Sequence, residues 1–242
     1  MKLTSSWILH ASAAFFCSAT ALGQNGSQTW LQDDNFQRSI SVYDPNGHAF
    51  VNKYDNVEGS PFLFDDWKMC DIEISGKKFD HCKMKLDLVS QSVHFLTTDG
   101  KEMQAQAGVI DHITFSDSSL EPASRYEFLS KLPPIDKHKN SDFYEVLAKG
   151  KIMMLKSISK RVVETKNEVS GDIRKEIVTD EDYYFEINGQ MIAVKRDKAF
   201  ILGLMDGGSR AKVESFASAN KLGYKSYTDM AKIVSYYNSI LG

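Results

Sequence analysis

The chain lacks a second stretch apolar enough to cross a bilayer, lacks any surplus of basic residues, and carries only three cysteines. Each shortage excludes a class of protein. With 29 basic against 32 acidic side chains and a formal charge of -3, there is no electrostatic footprint for nucleic acid. His48, His81, His94, His112 and His138 stand singly, no two at the i, i+4 spacing that places a zinc-binding pair on one helix face. They read as surface or turn residues. Gly207-Gly208-Ser209-Arg210 is too short for a phosphate-binding loop and lacks its Lys-Ser/Thr, so it reads as a helix end followed by a new N-cap. Asp180, Glu181 and Asp182 lack the alternate-residue spacing and central glycine of a calcium loop, and read as a solvated approach to a strand. In Asp80-His81-Cys82 neighbours on a strand point to opposite faces, so His81 is not placed to activate Cys82. The sequence therefore assigns no catalytic, cofactor-binding or metal-ligating residue, and no cofactor is expected.

What is present begins with an export signal. Lys2 supplies a positive end, Trp7 to Phe16 an apolar core, and Ala21-Leu22-Gly23 a small-residue cleavage site. The apolar run is too short for a membrane anchor, and His10, Ser12, Ser18 and Thr20 interrupt it. Bulky Phe16 before Cys17 argues against lipidation. Cleavage before Gln24 leaves about 219 of the 242 residues, with Cys70 and Cys82 as an even pair in an oxidising compartment. The expected location is periplasmic, outer-membrane-associated or secreted.

The most patterned stretch is Gly59 to Leu88. Cys70, Ile72 and Ile74 alternate with Asp71 and Glu73, and Cys82, Met84, Leu86 and Leu88 alternate with Lys83, Lys85 and Asp87. Period two means two half-buried strands around a turn at Ser75-Gly76. Their apolar faces coincide only if paired residue numbers add to an even value, because a one-residue slip turns one set to water. A three-residue loop, Ser75 to Lys77, satisfies this and sets Ile74 opposite Lys78 and Cys70 opposite Cys82. The pair then forms either a disulfide or two buried small hydrophobes.

Residues 24–58 are weakly patterned and read as a leader. Beyond the hairpin, Asp99-Gly100 and Asn188-Gly189 mark further hairpins, the latter setting Ile192 opposite Phe185 and Val194 opposite Tyr183. Arg125 to Leu129, Phe143 to Leu147 and Lys151 to Val163 read as strands, and Glu164 to Glu176 as an exposed hairpin tip. After Lys195 the period becomes helical: Ala199 to Met205 closed by Gly207-Gly208, a second helix capped by Ser209, and a third capped by Ser226 with a stripe of Met230, Ile233, Val234, Tyr237 and Leu241. The expectation is an α+β domain over 59–242. An antiparallel β-meander, a curved sheet or partly open barrel over 59–196, precedes two or three C-terminal helices over 197–242 that pack on it.

Gly59-Ser60-Pro61-Phe62-Leu63 with Trp67, Phe143-Tyr144-Glu145-Val146-Leu147 to Leu155-Lys156, Tyr183-Tyr184 and Tyr236-Tyr237-Asn238 give the chain its resemblance to a widespread group of exported proteins of Bacteroidetes type. The resemblance implies an envelope or secreted location and a meander followed by helices, and carries no activity. The functional expectation is a non-enzymatic module binding an envelope component or protein partner. The alternatives are a carrier holding an apolar ligand between sheet and helices, supported by a large apolar cavity there, or a hydrolase, supported by titratable groups converging in a cleft.

Overall fold

A computed structural model of the chain describes residues 48–97, 99–117, 124–168 and 171–241. The export signal and residues 24–47 of the expected leader lie outside them. Among the described residues eleven strands form one antiparallel sheet: β1 (His48–Ala49), β2 (Lys68–Ile74), β3 (Lys77–Asp87), β4 (Ser92–Leu96), β5 (Glu102–Gln104), β6 (His112–Asp117), β7 (Ser124–Leu129), β8 (Tyr144–Ala148), β9 (Met153–Lys166), β10 (Ile173–Ile187) and β11 (Gln190–Ala193). The helices are α1 (Lys198–Gly203), α2 (Gly207–Ala219) and α3 (Tyr227–Ser239). The fold is α+β, as the alternation and the later change of period require.

Strand order is β1-β5-β4-β3-β2-β6-β7-β8-β9-β10-β11. The meander is thus broken twice: β1 lies beside β5 rather than β2, and the chain leaves β5 and crosses back to add β6 on the free side of β2. The sheet curls until distant strands touch: Lys160 N in β9 donates to Leu88 O after β3 at 2.9 Å, and Gln91 Nε2 donates to both Leu88 O and Ile158 O at 3.1 Å. Inside the curl lies a core of Cys70, Ile72, Ile74, Met84, Leu86, Val93, Ile113, Phe115 and Phe128, with Ile158 of β9 included. A second core joins Met154 and Phe185 to the helices, and a third packs Tyr144, Leu155 and Tyr184 beneath Leu132 and Ile135.

The first hairpin keeps the even register by a different device. Ser75-Gly76 is a two-residue turn, so Ile74 pairs with Lys77 and Ile72 with Phe79. A β-bulge then adds one residue to β3, and Cys70 does pair with Cys82. His81 occupies the bulge with φ 59°, and its amide donates to Asp71 Oδ1 at 3.1 Å. The odd residue demanded by the apolar pattern sits in the strand rather than in the loop. In the last hairpin Asn188 and Gly189 have φ 52° and 78°, the left-handed pair of a type I′ turn, and Phe185 pairs with Ile192.

Two helix expectations need correction. Asp206 is the N-cap of α2, with Gly207-Gly208 inside the first turn rather than between helices, and Ser209 N donates to Asp206 O at 2.9 Å. Ser226 caps α3 as expected, accepting from Asp229 N at 3.3 Å, and Met230, Ile233, Val234 and Tyr237 are buried. Leu241 falls beyond the helix and is 40 % exposed, off the buried stripe.

Residues 48–58, read as leader, are integrated. β1 pairs with β5, and Glu58 exchanges two backbone bonds with the edge of β10, through Lys175 O at 2.9 Å and Ile177 N at 2.8 Å. Pro61 to Leu63 then run beside β3 where β2 has ended, with Leu63 N donating to Leu86 O and Leu88 N to Pro61 O, both at 2.9 Å. Between these anchors residues 50–62 form a strap across the polar face of β5, β4 and β3.

Candidate functional site

The site arises because alternation places Lys85 and Asp87 of β3, Ser92 and His94 of β4, and Glu102 and Gln104 of β5 on one face, opposite the core. A polar face of a sheet normally meets water. Here the strap covers it, so Asp87, Ser92, His94 and Gln104 are buried polar residues. Buried polar groups need partners, and the layer supplies most of them. Asp87 Oδ1 accepts from Val89 N and Ser90 N at 2.8 and 3.0 Å, and its Oδ2 accepts from Tyr54 Oη at 2.8 Å. His94 Nδ1 lies 2.7 Å from Glu102 Oε1, with Nε2 3.7 Å from Asp87 Oδ2. Gln104 Nε2 donates to Ser92 Oγ at 2.6 Å. Burial, together with the bond to Asp87, holds the Tyr54 phenol well above its ordinary value.

Above this layer the strap and the strands enclose a cleft of about 600 Å³, lined by Phe50, Asn52, Tyr54, Ser60, Phe62, Asp65, Lys85 and Glu102 among others. The rings of Phe50 and Phe62 lie 4.5 and 5.1 Å from the His94 ring and close over it. Lys160 fastens the wall: burial lowers its pKa, and its Nζ donates to Ser60 O and Phe62 O at 2.9 and 2.6 Å. The line Tyr54, Asp87, His94, Glu102 is a proton-relay arrangement in composition, with Asp87 and His94 buried in the floor and Tyr54 and Glu102 reaching the cleft.

A second histidine is similarly enclosed. His138 has Nε2 3.1 Å from Asp182 Oδ2 and Nδ1 3.3 Å from Ser157 Oγ. Serine, histidine and aspartate in line suggest a nucleophile relay, yet Ser157 is 1 % exposed. The cluster instead ties the 135–138 turn to β9 and β10. His94, on a strand and buried, therefore departs from the reading of single surface or turn histidines, while His138 does lie in a turn but is buried there. What hid them is long range: each carboxylate partner is brought in by sheet pairing or by a loop folded over the sheet.

The other sequence candidates lie away from the cleft or meet separate partners. Cys70 and Cys82 face the core side by side with no disulfide between them, Cys70 Sγ lying 3.4 Å from Cys82 O and its pKa pushed up by burial. Asp180, Glu181 and Asp182 alternate faces and each meets a different cation: Arg161, Lys156 and Lys137. Lys85, read as a solubilising outer lysine, is half-buried and lies 4.8 Å from the Phe62 ring and 5.3 Å from the Trp67 ring. Among the described residues no group of His, Cys, Asp and Glu is arranged to hold a metal ion. Comparison of the chain with family models, curated proteins and solved structures finds no match.

Proposed function

We propose that the chain is an exported, non-enzymatic binding module of the cell envelope or secreted space, and that the cleft under the strap is its recognition site. The observation that carries this reading is the separation of layers: Asp87 and His94 are buried in the floor, while the cleft itself offers rings, an amide, hydroxyls, the carboxylates of Asp65 and Glu102 and one lysine. Such a lining recognises and orients a ligand. The strap is fixed at both ends and by Lys160, so the cleft is formed before a ligand arrives, which spares the cost of ordering it on binding. The carrier reading has less support, because the space between sheet and helices is filled by Met154, Phe185, Ile201, Met230, Ile233, Val234 and Tyr237.

The test is retention of solubilised envelope components on the immobilised mature protein, identified by mass spectrometry and then titrated individually. A component that binds the parent and loses at least tenfold affinity for Phe62→Ala supports the reading. Turnover of simple ester or glycoside substrates that His94→Gln abolishes would replace it with an enzyme. Export is tested separately, by amino-terminal sequencing of protein from the native host: a start near Gln24 is expected, and an intact Met1 overturns it.

A further inference from the structure

The cleft holds a cation without an anion. Lys85 Nζ sits over the Phe62 and Trp67 rings, and among the described residues no carboxylate lies within ion-pair distance of it. A half-buried ammonium held on ring faces is partly stripped of water and fixed in place, an arrangement that favours binding an anion brought from outside. Two carboxylates of the same cleft, Asp65 and Glu102, restrict which anion: a phosphate dianion or a polyanion meets more repulsion from them than a single monoanionic group such as a carboxylate beside Lys85. The same carboxylates, with Asn52 and Ser60, are acceptors and donors for hydroxyl groups. Phe50 and Phe62 supply apolar faces on which the C–H side of a sugar ring rests. The volume of about 600 Å³ is in the range of small-ligand sites.

Resting on the cleft as the recognition site, we infer that its ligand is an acidic saccharide that presents a single sugar carboxylate to it, of the uronic or sialic acid type, with the carboxylate on Lys85 and a sugar face on Phe62. The experiment is calorimetric titration of the mature protein with glucuronate- and galacturonate-containing disaccharides and with sialyllactose. Matching methyl esters and neutral and sulfated disaccharides serve as controls. At least one acidic sugar is expected to bind, with tenfold or greater loss on esterification, a similar loss in Lys85→Gln, and weakening as salt rises. Asp65→Asn is expected to raise the affinity of the sulfated control, and unchanged melting of each variant verifies that it is folded. Equal binding of acid and ester, or full binding by Lys85→Gln, overturns the acidic class while leaving the cleft in place as a saccharide site. Failure of every acidic sugar also overturns it. Should an envelope component retained by the parent bind Phe62→Ala undiminished, the cleft reading itself falls.

Discussion

Gly150 has φ 146°, and a Cβ placed there would come within 2.5 Å of Asn238 Cγ. The absence of a side chain lets Asn238, at the end of α3, reach over the β8–β9 turn, where its Oδ1 accepts from Ile152 N at 3.1 Å and its Nδ2 donates to Lys149 O at 3.1 Å and Ile152 O at 2.8 Å. One amide therefore satisfies three backbone groups. Gly150→Ala and Asn238→Ala are each expected to cost about 1–3 kcal/mol, and the double variant less than their sum, because both remove the same clamp. Denaturant titrations of the three variants check this. Glu145 offers a pH-dependent counterpart. Burial raises its pKa against the opposing pull of Lys156, so the folded state holds the proton more tightly than the unfolded chain. Stability contributed by that proton is present at low pH and lost as pH rises through the raised folded value. Melting curves of Glu145→Gln and parent are expected to nearly coincide at pH 4 and to separate at pH 7 with the variant higher.

At the scale of elements, α3 is held by its buried stripe, and Ile233 is 0 % exposed within the second core. Ile233→Asp is expected to cost about 4 kcal/mol or more by burying an unpaired charge. A melting temperature within a degree of the parent would show that the helix is not packed there. This helix was legible because its stripe, capping serine and period all agree within thirteen residues. The Asn188-Gly189 hairpin was legible for the same reason, since turn chemistry and cross-strand pattern are both local. The start of α2 was not: Asp206 is occupied by Lys151 Nζ at 2.8 Å and Tyr237 Oη at 3.0 Å, partners from β9's approach and from α3 that no local pattern announces. The candidate site was illegible for a related reason. Asp87 and His94 occupy positions that alternation assigns to solvent, and only the strap, from a stretch with little pattern, converts that face into an interior.

On the scale of the whole molecule, β9 is the common member. Ile158 enters the core inside the curl, Met154 the core under the helices, and Leu155 the core on the opposite side. Three apolar clusters sharing one strand cannot be opened independently without losing part of its packing. Differential scanning calorimetry of the mature protein is therefore expected to give one endotherm whose calorimetric and van't Hoff enthalpies agree. Two resolved transitions would mean that the helical end melts apart from the curl.

The bulge at His81 also has a meaning for how this hairpin can change in length. The bulge holds the one extra residue of β3, between the pair Ile72–Phe79 and the pair Cys70–Cys82. Deleting His81 alone takes the extra residue out of the bulge: Ile72 still faces Phe79, Asp71 then faces Asp80 and Cys70 still faces Cys82, so the ladder is unbroken and both apolar stripes stay on the core side. A residue inserted after Gly76 lengthens the turn to three residues and leaves the pairing of Ile74 with Lys77, and all pairs beyond it, as they were. A residue deleted from β3 beyond the bulge instead turns the rest of that stripe to water, so a one-residue change in the length of this hairpin is expected to be silent at the bulge or the turn and costly elsewhere in β3.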